Sequence, residues 1–432
     1  MTEVVTEAKP ATPPEWLNSA FMETVLRKSE GDKGLQVVSI ESTPVGKPGE
    51  YLASQLFRLT VQCQGTAKQD GGKSTKKLVV KIQPDKGVLA DTMDSSLFKT
   101  ELKMYGEFLP KLERVLAENE RSLPLPKCVH VSAVPQPIII LEDLAPAGWK
   151  GHDLIESFEE AKPITTAIAR FHAASFYLSK NKTDFESFQT DLFEKKHPVL
   201  EWMFGNNLKA FNEALRTWHG CERFVEPFER AFADYCDRLH NIYSCKTTGR
   251  LYNVLNHGDF HAKNLLHQFN DESGGIVESR FLDFQACCWS TPAIDLYYLL
   301  NNIVHYKVKA AHKDDLIAFY HAEFTATLKA IGFLGYIPTM LDLQIELLRN
   351  GFLGKWRRTV QLYQCRSANS DISLADILHY TCFLQFRFID FSKIPPEKLA
   401  TGQVGNLGLE NEEYQTLMKS LIPGYVYKGL LE

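Results

Sequence analysis

The sequence lacks the marks of a secreted, disulfide-bonded or membrane-spanning chain. Its nine cysteines are odd in number and scattered, and no two of them form a C-x-x-C pair. Small secreted domains use paired cysteine frameworks, so a reduced, intracellular protein is expected here. No apolar run approaches the roughly 20 residues that span a bilayer. The segment MTEVVTEAKPATPPEW has no apolar stretch of a secretory signal, and we expect the protein in the cytosol.

An excess of positive charge is also missing. The formal net charge is −5 at pH 7, which argues against nucleic acid or an anionic membrane surface as the main partner. Hydrophobic residues make up 44% and charged residues 23% of the chain, as in ordinary soluble globular proteins. A chain of 432 residues can bury a sizeable core without metals or disulfides. It is long enough for two or three domains or for one two-lobed enzyme.

Strand patterns are concentrated in the first third of the chain. Segment 56–63, LFRLTVQC, alternates apolar and polar residues and predicts a strand. KLVVKIQP at 77–84 predicts a second strand, which returns after the polar loop GTAKQDGGKSTKK. PQPIIILEDLAPAG at 135–148 is too short for a buried helix and predicts a buried strand leading into a connector.

Helical patterns dominate beyond about residue 150. One earlier helix is predicted over 96–117, bent or broken near Pro110, and 161–179 predicts a long helix. The predicted fold class is therefore α+β. The expected parts are a disordered leader at 1–12, a β-rich N-lobe at 13–143, and a larger helical C-lobe at 144–432.

The stretch VLNHGDFHAKNLL at 254–266 concentrates residues that could carry chemistry. His257 and His261 lie four apart, a spacing at which one helix face can bind zinc. Gly258 interrupts a helix at this point, and no further His or Cys follows at a spacing typical of zinc sites. Zinc is therefore the weaker hypothesis.

A hairpin predicted downstream favours a different site. LLHQF at 265–269, the turn NDESGG, and IVESRFLDFQ at 276–285 predict two paired strands. The pairing brings Asp283 back beside Asn264, and their oxygen donors suit Mg²⁺. Asp259, one short loop away, could accept a proton from a hydroxyl nucleophile. The alternative is that these residues only cap loops and carry no chemistry. The ordered occurrence of HGD-x4-N followed by apolar-DFQ argues against this alternative.

HGDFHAKN together with FLDFQ resembles the catalytic loop and metal-binding strand of the protein-kinase-like phosphotransferases. That superfamily includes the aminoglycoside and choline kinases, and the chain is most similar to its ecdysteroid-kinase-like branch, also called CHK kinase-like. The similar segments are PEWLN, YLASQLFRLTV, VVKIQP, FKTELKMYGEFLP, ILEDL, ARFHAAS and DFQACCWSTPAIDLYYLL. DFQ in place of the DFG of protein kinases is typical of that branch. The resemblance implies a bilobal protein-kinase-like fold.

The resemblance also implies roles in the C-lobe. Asp259 would be the catalytic base or the residue that orients the hydroxyl. Asn264 and Asp283 would be catalytic through the Mg²⁺ that they hold. His257 would support the loop, and Asp295 would begin a helix and tie it to the loop.

In the N-lobe, the resemblance implies that Lys81 contacts the ATP phosphates and Glu101 pairs with it. An ammonium inside an apolar strand needs an anionic partner, and Glu101 lies 20 residues later in a helical pattern, as in kinases. A lysine at an exposed strand edge is the alternative. A hinge whose backbone meets the adenine would be formed by Glu142, Asp143 and Leu144.

The segment VGKPGEYLAS at 45–54 stands where a kinase has its glycine-rich cover. It contains Gly46, Gly49 and Ser54 but no GxGxxG, so a nucleotide-covering loop and an ordinary turn are both open. His172 in RFHAAS is expected to be a packed helical histidine.

These features together predict an ATP- and Mg²⁺-dependent kinase that phosphorylates a hydroxyl of a lipophilic small molecule. Ecdysteroids or related hydroxylated compounds are the acceptors that the resemblance implies. A choline- or aminoglycoside-type kinase with a cationic acceptor and a ligand-binding pseudokinase are the alternatives. A protein kinase is disfavoured, because only about a dozen residues separate Asp283 from Asp295 and no APE motif follows. Neither nucleic acid nor a membrane span is expected.

Overall fold

The structure is a computed structural model that describes most of the chain up to residue 350. The described residues are 12–45, 54–66, 72–83, 96–123, 125–152, 154–181, 183–185, 188, 206–233, 240–243 and 252–350, with positions 409, 412, 415, 416, 418, 419 and 422. Nearly all of the predicted leader lies outside them. They divide into two compact units: the first holds the described parts of 1–108 and 125–149, and the second those of 109–124 and of 150 onward.

The first unit is built on a five-stranded antiparallel sheet with the strand order β1-β2-β3-β5-β4. The strands are β1 Gln36–Pro44, β2 Gln55–Gln64, β3 Lys73–Ile82, β4 Cys128–Ser132 and β5 Ile138–Glu142. The strands predicted at 56–63 and 135–148 are confirmed. The strand predicted from residue 77 starts earlier, because Lys73 already pairs with Gln64 and the polar KSTKK continues the ladder.

One face of this sheet is covered by helix α1, Ser19–Glu30, which begins where the Asn18 side chain accepts two backbone N–H bonds. Its residues Met22, Val25 and Leu26 are buried in one cluster with Leu78, Val80 and Ile82 of β3. Successive side chains of a strand point to opposite faces. Lys81 therefore points away from this apolar cluster.

The helix predicted over 96–117 is present but interrupted. It consists of α2 Ser96–Lys103, a π turn at Met104–Phe108, and α3 Leu109–Ala117. Pro110 has no N–H to donate and its ring crowds the carbonyl four residues earlier. The wider π turn immediately before it accommodates both effects, which explains the bend predicted there.

The second unit is mostly helical. Besides α3, its helices within the described residues are α4 Phe158–Lys180, α5 Asn206–Thr217, α6 Val225–Ala233, α7 Ala293–Tyr298, α8 Tyr306–Ala330 and α9 Met340–Arg349. Its strands form two small antiparallel pairs, β6 Val254–Asn256 with β9 Cys288–Ser290 and β7 Leu265–Phe269 with β8 Ile276–Phe281. The α+β class is confirmed. In the part of the chain that the structure describes, no helix is long and apolar enough to cross a membrane.

His267, in the β7–β8 hairpin, is expected to make the protein less stable in acid. The residue is 1% exposed, and its Nδ1 lies 2.8 Å from the Ser279 hydroxyl. Burial, aided by the neighbouring His152, lowers the pKa of His267 to about 4. An unfolded histidine titrates near about 6.5, so between these values the unfolded chain binds the additional proton. The unfolding free energy should fall as the pH drops from about 6.5 towards 4, by about 1 kcal/mol per pH unit.

Urea unfolding of the full chain at pH 7, 6 and 5 measures this slope. A His267→Gln variant serves as the reference, because it lacks the His267 imidazole but keeps all the carboxylates that also titrate in acid. The wild type should lose stability more steeply than the variant. Parallel pH profiles for the two proteins would show that His267 does not contribute.

Candidate active site

The loop between β6 and β7 is held at its start by Asp295 of α7, which lies 38 residues after His257 and 37 after Gly258. Asp295 of α7 is fully buried, and its two carboxylate oxygens accept the backbone N–H groups of His257 at 2.6 Å and Gly258 at 3.0 Å. Hydrogen bonds to an ionised acceptor are roughly twice as strong as neutral ones. Asp295 therefore ties the helix to the loop, as predicted.

Position 258, the second residue of this loop, can be occupied only by glycine. Its φ is +81°, and a Cβ built there would lie 1.9 Å from the carbonyl oxygen of Ala286. The loop backbone thus lies directly against the segment that follows Asp283. This close approach, together with the left-handed backbone, requires glycine.

The carboxylate of Asp259 has a partner at each oxygen. Oδ1 accepts a hydrogen bond from the Tyr298 hydroxyl at 3.2 Å. Oδ2 accepts from Asn264 Nδ2 at 3.3 Å and lies 3.5 Å from His261 Nε2. The Asp259 side chain is nevertheless 31% exposed. The carboxylate is therefore oriented by its neighbours while it stays open to a ligand.

The pKa of His261 is affected by the carboxylates near it. Burial alone would lower its pKa, but the carboxylate of Asp259, and to a lesser degree that of Asp283, raises the pKa of His261 overall. Both carboxylates consequently act on one imidazole.

Backbone pairing brings Asp283 next to Asn264. The Leu282 N–H donates to the Asn264 carbonyl at 2.9 Å, and Leu265 pairs with Phe281 in the hairpin. The second strand ends at Phe281, earlier than the predicted 276–285. The cause is Asp283 itself, whose left-handed backbone, φ 63° and ψ 65°, cannot continue a strand. A non-glycine residue in this conformation is strained, as is often found at functional sites.

The donors at this point fit a hard cation. The Asn264 side-chain nitrogen donates to the backbone carbonyl and to the carboxylate of Asp259. The side-chain oxygen of Asn264, Oδ1, can therefore face another ligand. With the carboxylate of Asp283, it supplies the oxygen donors that Mg²⁺ prefers. Among the described residues, no group of three or more His, Cys, Asp or Glu is arranged to hold a metal ion. Water and substrate phosphates would have to complete a shell here.

Two histidines support the loop from behind. His257 Nε2 donates to the Leu282 carbonyl at 2.8 Å, which links the loop to the strand that leads into Asp283. His172 of α4 is fully buried, with Nε2 3.1 Å from Asp295 and Nδ1 2.7 Å from the Tyr320 hydroxyl of α8. Because an ionised carboxylate can only accept, Nε2 carries the proton. His172 is thus the packed helical histidine that was predicted, and it anchors Asp295.

In the first unit, Lys81 and Glu101 form the predicted pair. Lys81 Nζ lies 2.6 Å from Glu101 Oε2, with side-chain exposures of 11% and 2%. Lys81 is placed by β3, between its cross-strand neighbours Leu56 and Ile139, and Glu101 by α2. The pair fixes an ammonium group on the sheet face opposite α1.

Replacing Glu101 by glutamine is expected to lower the unfolding free energy by about 2 kcal/mol, because the buried ammonium loses its charged acceptor. Urea unfolding at pH 7 measures the change. Glu30→Gln is the matched control, since the Glu30–Lys76 pair of the same unit is about 30% exposed at each side chain and should contribute less than about 1 kcal/mol. Equal losses in the two variants would contradict the buried pair.

The segment after β5 has part of its backbone already bonded. The N–H of Glu142 donates to the Lys127 carbonyl, and that of Asp143 donates to the Lys77 carbonyl. Of the three predicted hinge amides, that of Leu144 alone has no acceptor within the described part of the chain. Leu144 itself is buried.

The predicted covering loop is described only at its two ends, Val45 and Ser54. Gly46 and Gly49 lie outside the described residues. Ser54 is buried at 7% exposure, just before β2 begins.

Sequence reasoning missed two tyrosines of this site. Tyr298 bonds the carboxylate of Asp259, and Tyr320 bonds the histidine behind Asp295. Tyr298 could have been predicted, because it lies three residues after Asp295 and so projects from the same face of a helix. No sequence pattern pointed to Tyr320, since its partner His172 is 148 residues away in the chain.

Solved phosphotransferase structures show a distant likeness to the chain. Spectinomycin phosphotransferase APH(9)-Ia, in complex with ADP and spectinomycin, is 11% identical with a TM-score of 0.40, covering 89% of this chain and 98% of that one. Macrolide 2'-phosphotransferase MphH from Brachybacterium faecium is 13% identical with a TM-score of 0.33, covering 90% and 98%. A comparison with curated proteins finds no match.

A sequence model of the family described as "Ecdysteroid kinase-like family" matches residues 48–333, well over half of the chain. The matched range contains Lys81, Asp259, Asn264 and Asp283. It confirms the resemblance and, with it, the predicted enzyme class, a small-molecule kinase that acts on a hydroxyl. On this match, the chain belongs to the ecdysteroid kinase-like family.

Proposed function

We propose that the chain is an ATP- and Mg²⁺-dependent kinase that phosphorylates a hydroxyl of a lipophilic acceptor, an ecdysteroid or a related hydroxylated compound. One observation carries the proposal: the Asn264 side chain bonds the Asp259 carboxylate, the Asn264 backbone bonds Leu282 next to Asp283, and the Asp259 carboxylate stays partly exposed. A loop with only a capping role would not need an oriented, accessible carboxylate beside two further oxygen donors.

In this proposal Asp259 is the group that meets the acceptor. Its carboxylate would accept the hydrogen bond of the attacking hydroxyl, orient the oxygen towards the γ-phosphorus, and receive the proton as the new P–O bond forms and the bond to ADP breaks. Asn264 and Asp283 would hold Mg²⁺, which supplies charge neutralisation to the phosphates when bound. His257, through Leu282, and Asp295, through the loop backbone, keep these groups in place.

Residues of the first unit would bind the nucleotide. Lys81 would contact the ATP phosphates, with Glu101 holding its ammonium group in place. The adenine would meet the backbone of the segment formed by Glu142, Asp143 and Leu144. With two of these amides bonded to neighbouring strands, the Leu144 N–H is the donor that remains for the base. The segment with Gly46, Gly49 and Ser54 would cover the phosphates.

The acceptor class rests on the family alone and is therefore the part of the proposal most in need of a direct test. The purified chain is incubated with Mg²⁺-ATP and, separately, with an ecdysteroid, choline, an aminoglycoside and a panel of hydroxylated lipophilic compounds. ADP release is measured together with the product mass, which should rise by one phosphoryl group. Phosphorylated ecdysteroid or another lipophilic alcohol supports the proposal. Turnover of choline or the aminoglycoside alone would overturn the acceptor class, and no ADP release with any compound or with water would overturn the kinase.

A further inference from the structure

We propose that Tyr298 is a positioning residue for Asp259, an inference that rests on the proposed function. The Tyr298 hydroxyl donates to Asp259 Oδ1 at 3.2 Å. The other oxygen, Oδ2, faces Asn264 Nδ2 and His261 Nε2. The two oxygens of the carboxylate are thereby distinguished, one bonded to the tyrosine and the other directed towards the Asn264 side.

Helix α7 explains why a tyrosine is available at this place. Asp295 and Tyr298 are three residues apart, so they project from the same face of the helix. Asp295 holds the backbone of the loop at His257 and Gly258, and one turn later Tyr298 reaches the side chain of Asp259. A single helix face therefore fixes both the path of the loop and the orientation of its carboxylate.

The end of α7 gives Tyr298 a defined position. The helix passes directly into a π turn at Leu299–Ile303, a wider turn often found at functional sites. Tyr298 is half-buried, so its ring is held while its hydroxyl reaches the exposed edge of the loop. In phosphoryl transfer most of the catalysis comes from positioning. A carboxylate that can turn about its terminal bond would orient an acceptor less well.

The adjacent residue provides a matched control. Tyr297 also donates its hydroxyl, but to the backbone carbonyl of Leu347 in α9 at 2.6 Å. Tyr297→Phe and Tyr298→Phe each remove one tyrosine hydroxyl from the same helix. Only the second removes a bond to the carboxylate of Asp259.

The test compares these variants with Asp259→Asn and with the double variant Asp259→Asn/Tyr298→Phe. Mg²⁺-ATP turnover is measured as ADP release with the panel compound that reacts fastest, or with water where none reacts. Tyr298→Phe should lower kcat about tenfold with an unchanged KM for ATP, and Tyr297→Phe should not. Tyr298 acts through Asp259, so the double variant should be no slower than Asp259→Asn alone. Tyr298→His, which keeps a donor, should recover part of the rate.

Three outcomes would overturn the inference. They are a Tyr298→Phe variant with wild-type kcat, a double variant in which the two losses multiply, and equal losses in the Phe and His variants. Each leaves the proposed function standing, provided that the wild type turns over and Asp259→Asn turns over far more slowly. A wild type that releases no ADP fails the proposed function itself, and the inference with it.

Discussion

Replacing Asp259 by asparagine is expected to lower kcat by about a thousandfold, the scale of a lost general base. The amide has the size of the carboxylate, its oxygen can still accept from Tyr298, and Asn264 keeps its shorter bond to the backbone carbonyl at position 259, so the loop should keep its shape. What is lost is the ability to accept the proton of the acceptor hydroxyl. Binding of ATP should change little, because the predicted phosphate contact belongs to Lys81 and the predicted Mg²⁺ ligands are Asn264 and Asp283.

Steady-state kinetics at saturating ATP measure this loss. Asp271→Asn is the control, since Asp271 is an exposed carboxylate in the turn of the β7–β8 hairpin and has no part in the proposed chemistry. The control should keep wild-type kcat. An Asp259→Asn enzyme that keeps more than about a tenth of the wild-type rate would show that this carboxylate is not the base.

Replacing Asp295 by alanine is expected to cost about 4 kcal/mol of unfolding free energy. The substitution leaves two backbone N–H groups and the His172 Nε2–H without their acceptor in a fully buried place. Each such loss lowers the unfolding free energy, because a buried donor without an acceptor cannot form a hydrogen bond to water instead. Since the same bonds hold the loop that carries Asp259, kcat should fall even under conditions where the variant is folded.

Asp342 provides a control of matched bonding and different burial. Its carboxylate also accepts three hydrogen bonds, from the Tyr336 hydroxyl and from the backbone and side chain of Thr339, but all three are exposed. Asp342→Ala should cost only about 1 kcal/mol, as for a helix cap, with kcat unchanged. Chemical unfolding of both variants, followed by kinetics on the folded fraction, measures the difference. Equal costs would mean that burial of Asp295 does not matter.

Local patterns in the sequence account for much of the fold and for the geometry around Asp283. The alternation in LFRLTVQC and the Gly-rich turn after LLHQF are signals within a few residues, and both produced the predicted strands. A hairpin register follows from its turn, so Asp283 could be placed near Asn264 without knowledge of the tertiary structure. The loop support by Asp295 followed from the family resemblance.

Other features depend on contacts that local patterns do not encode. β1, β4, β6 and β9 went unpredicted because their stability comes from neighbouring strands rather than from their own composition. The strand leading to Asp283 was extended too far, since nothing in FLDFQ signals a left-handed aspartate. The bond between His172 and Tyr320 joins two helices distant in the chain, and only their packing reveals it.

The central claim, that this chain uses Mg²⁺-ATP, can be tested most directly without knowing the acceptor. Isothermal titration calorimetry of the full chain with ATP is carried out in Mg²⁺ and in EDTA, for the wild type and for Asp283→Asn. We predict that the wild type binds one ATP and that Mg²⁺ tightens the binding. The variant should bind ATP with an affinity that Mg²⁺ barely changes. A folded wild type that shows no binding of ATP in either condition would contradict the account.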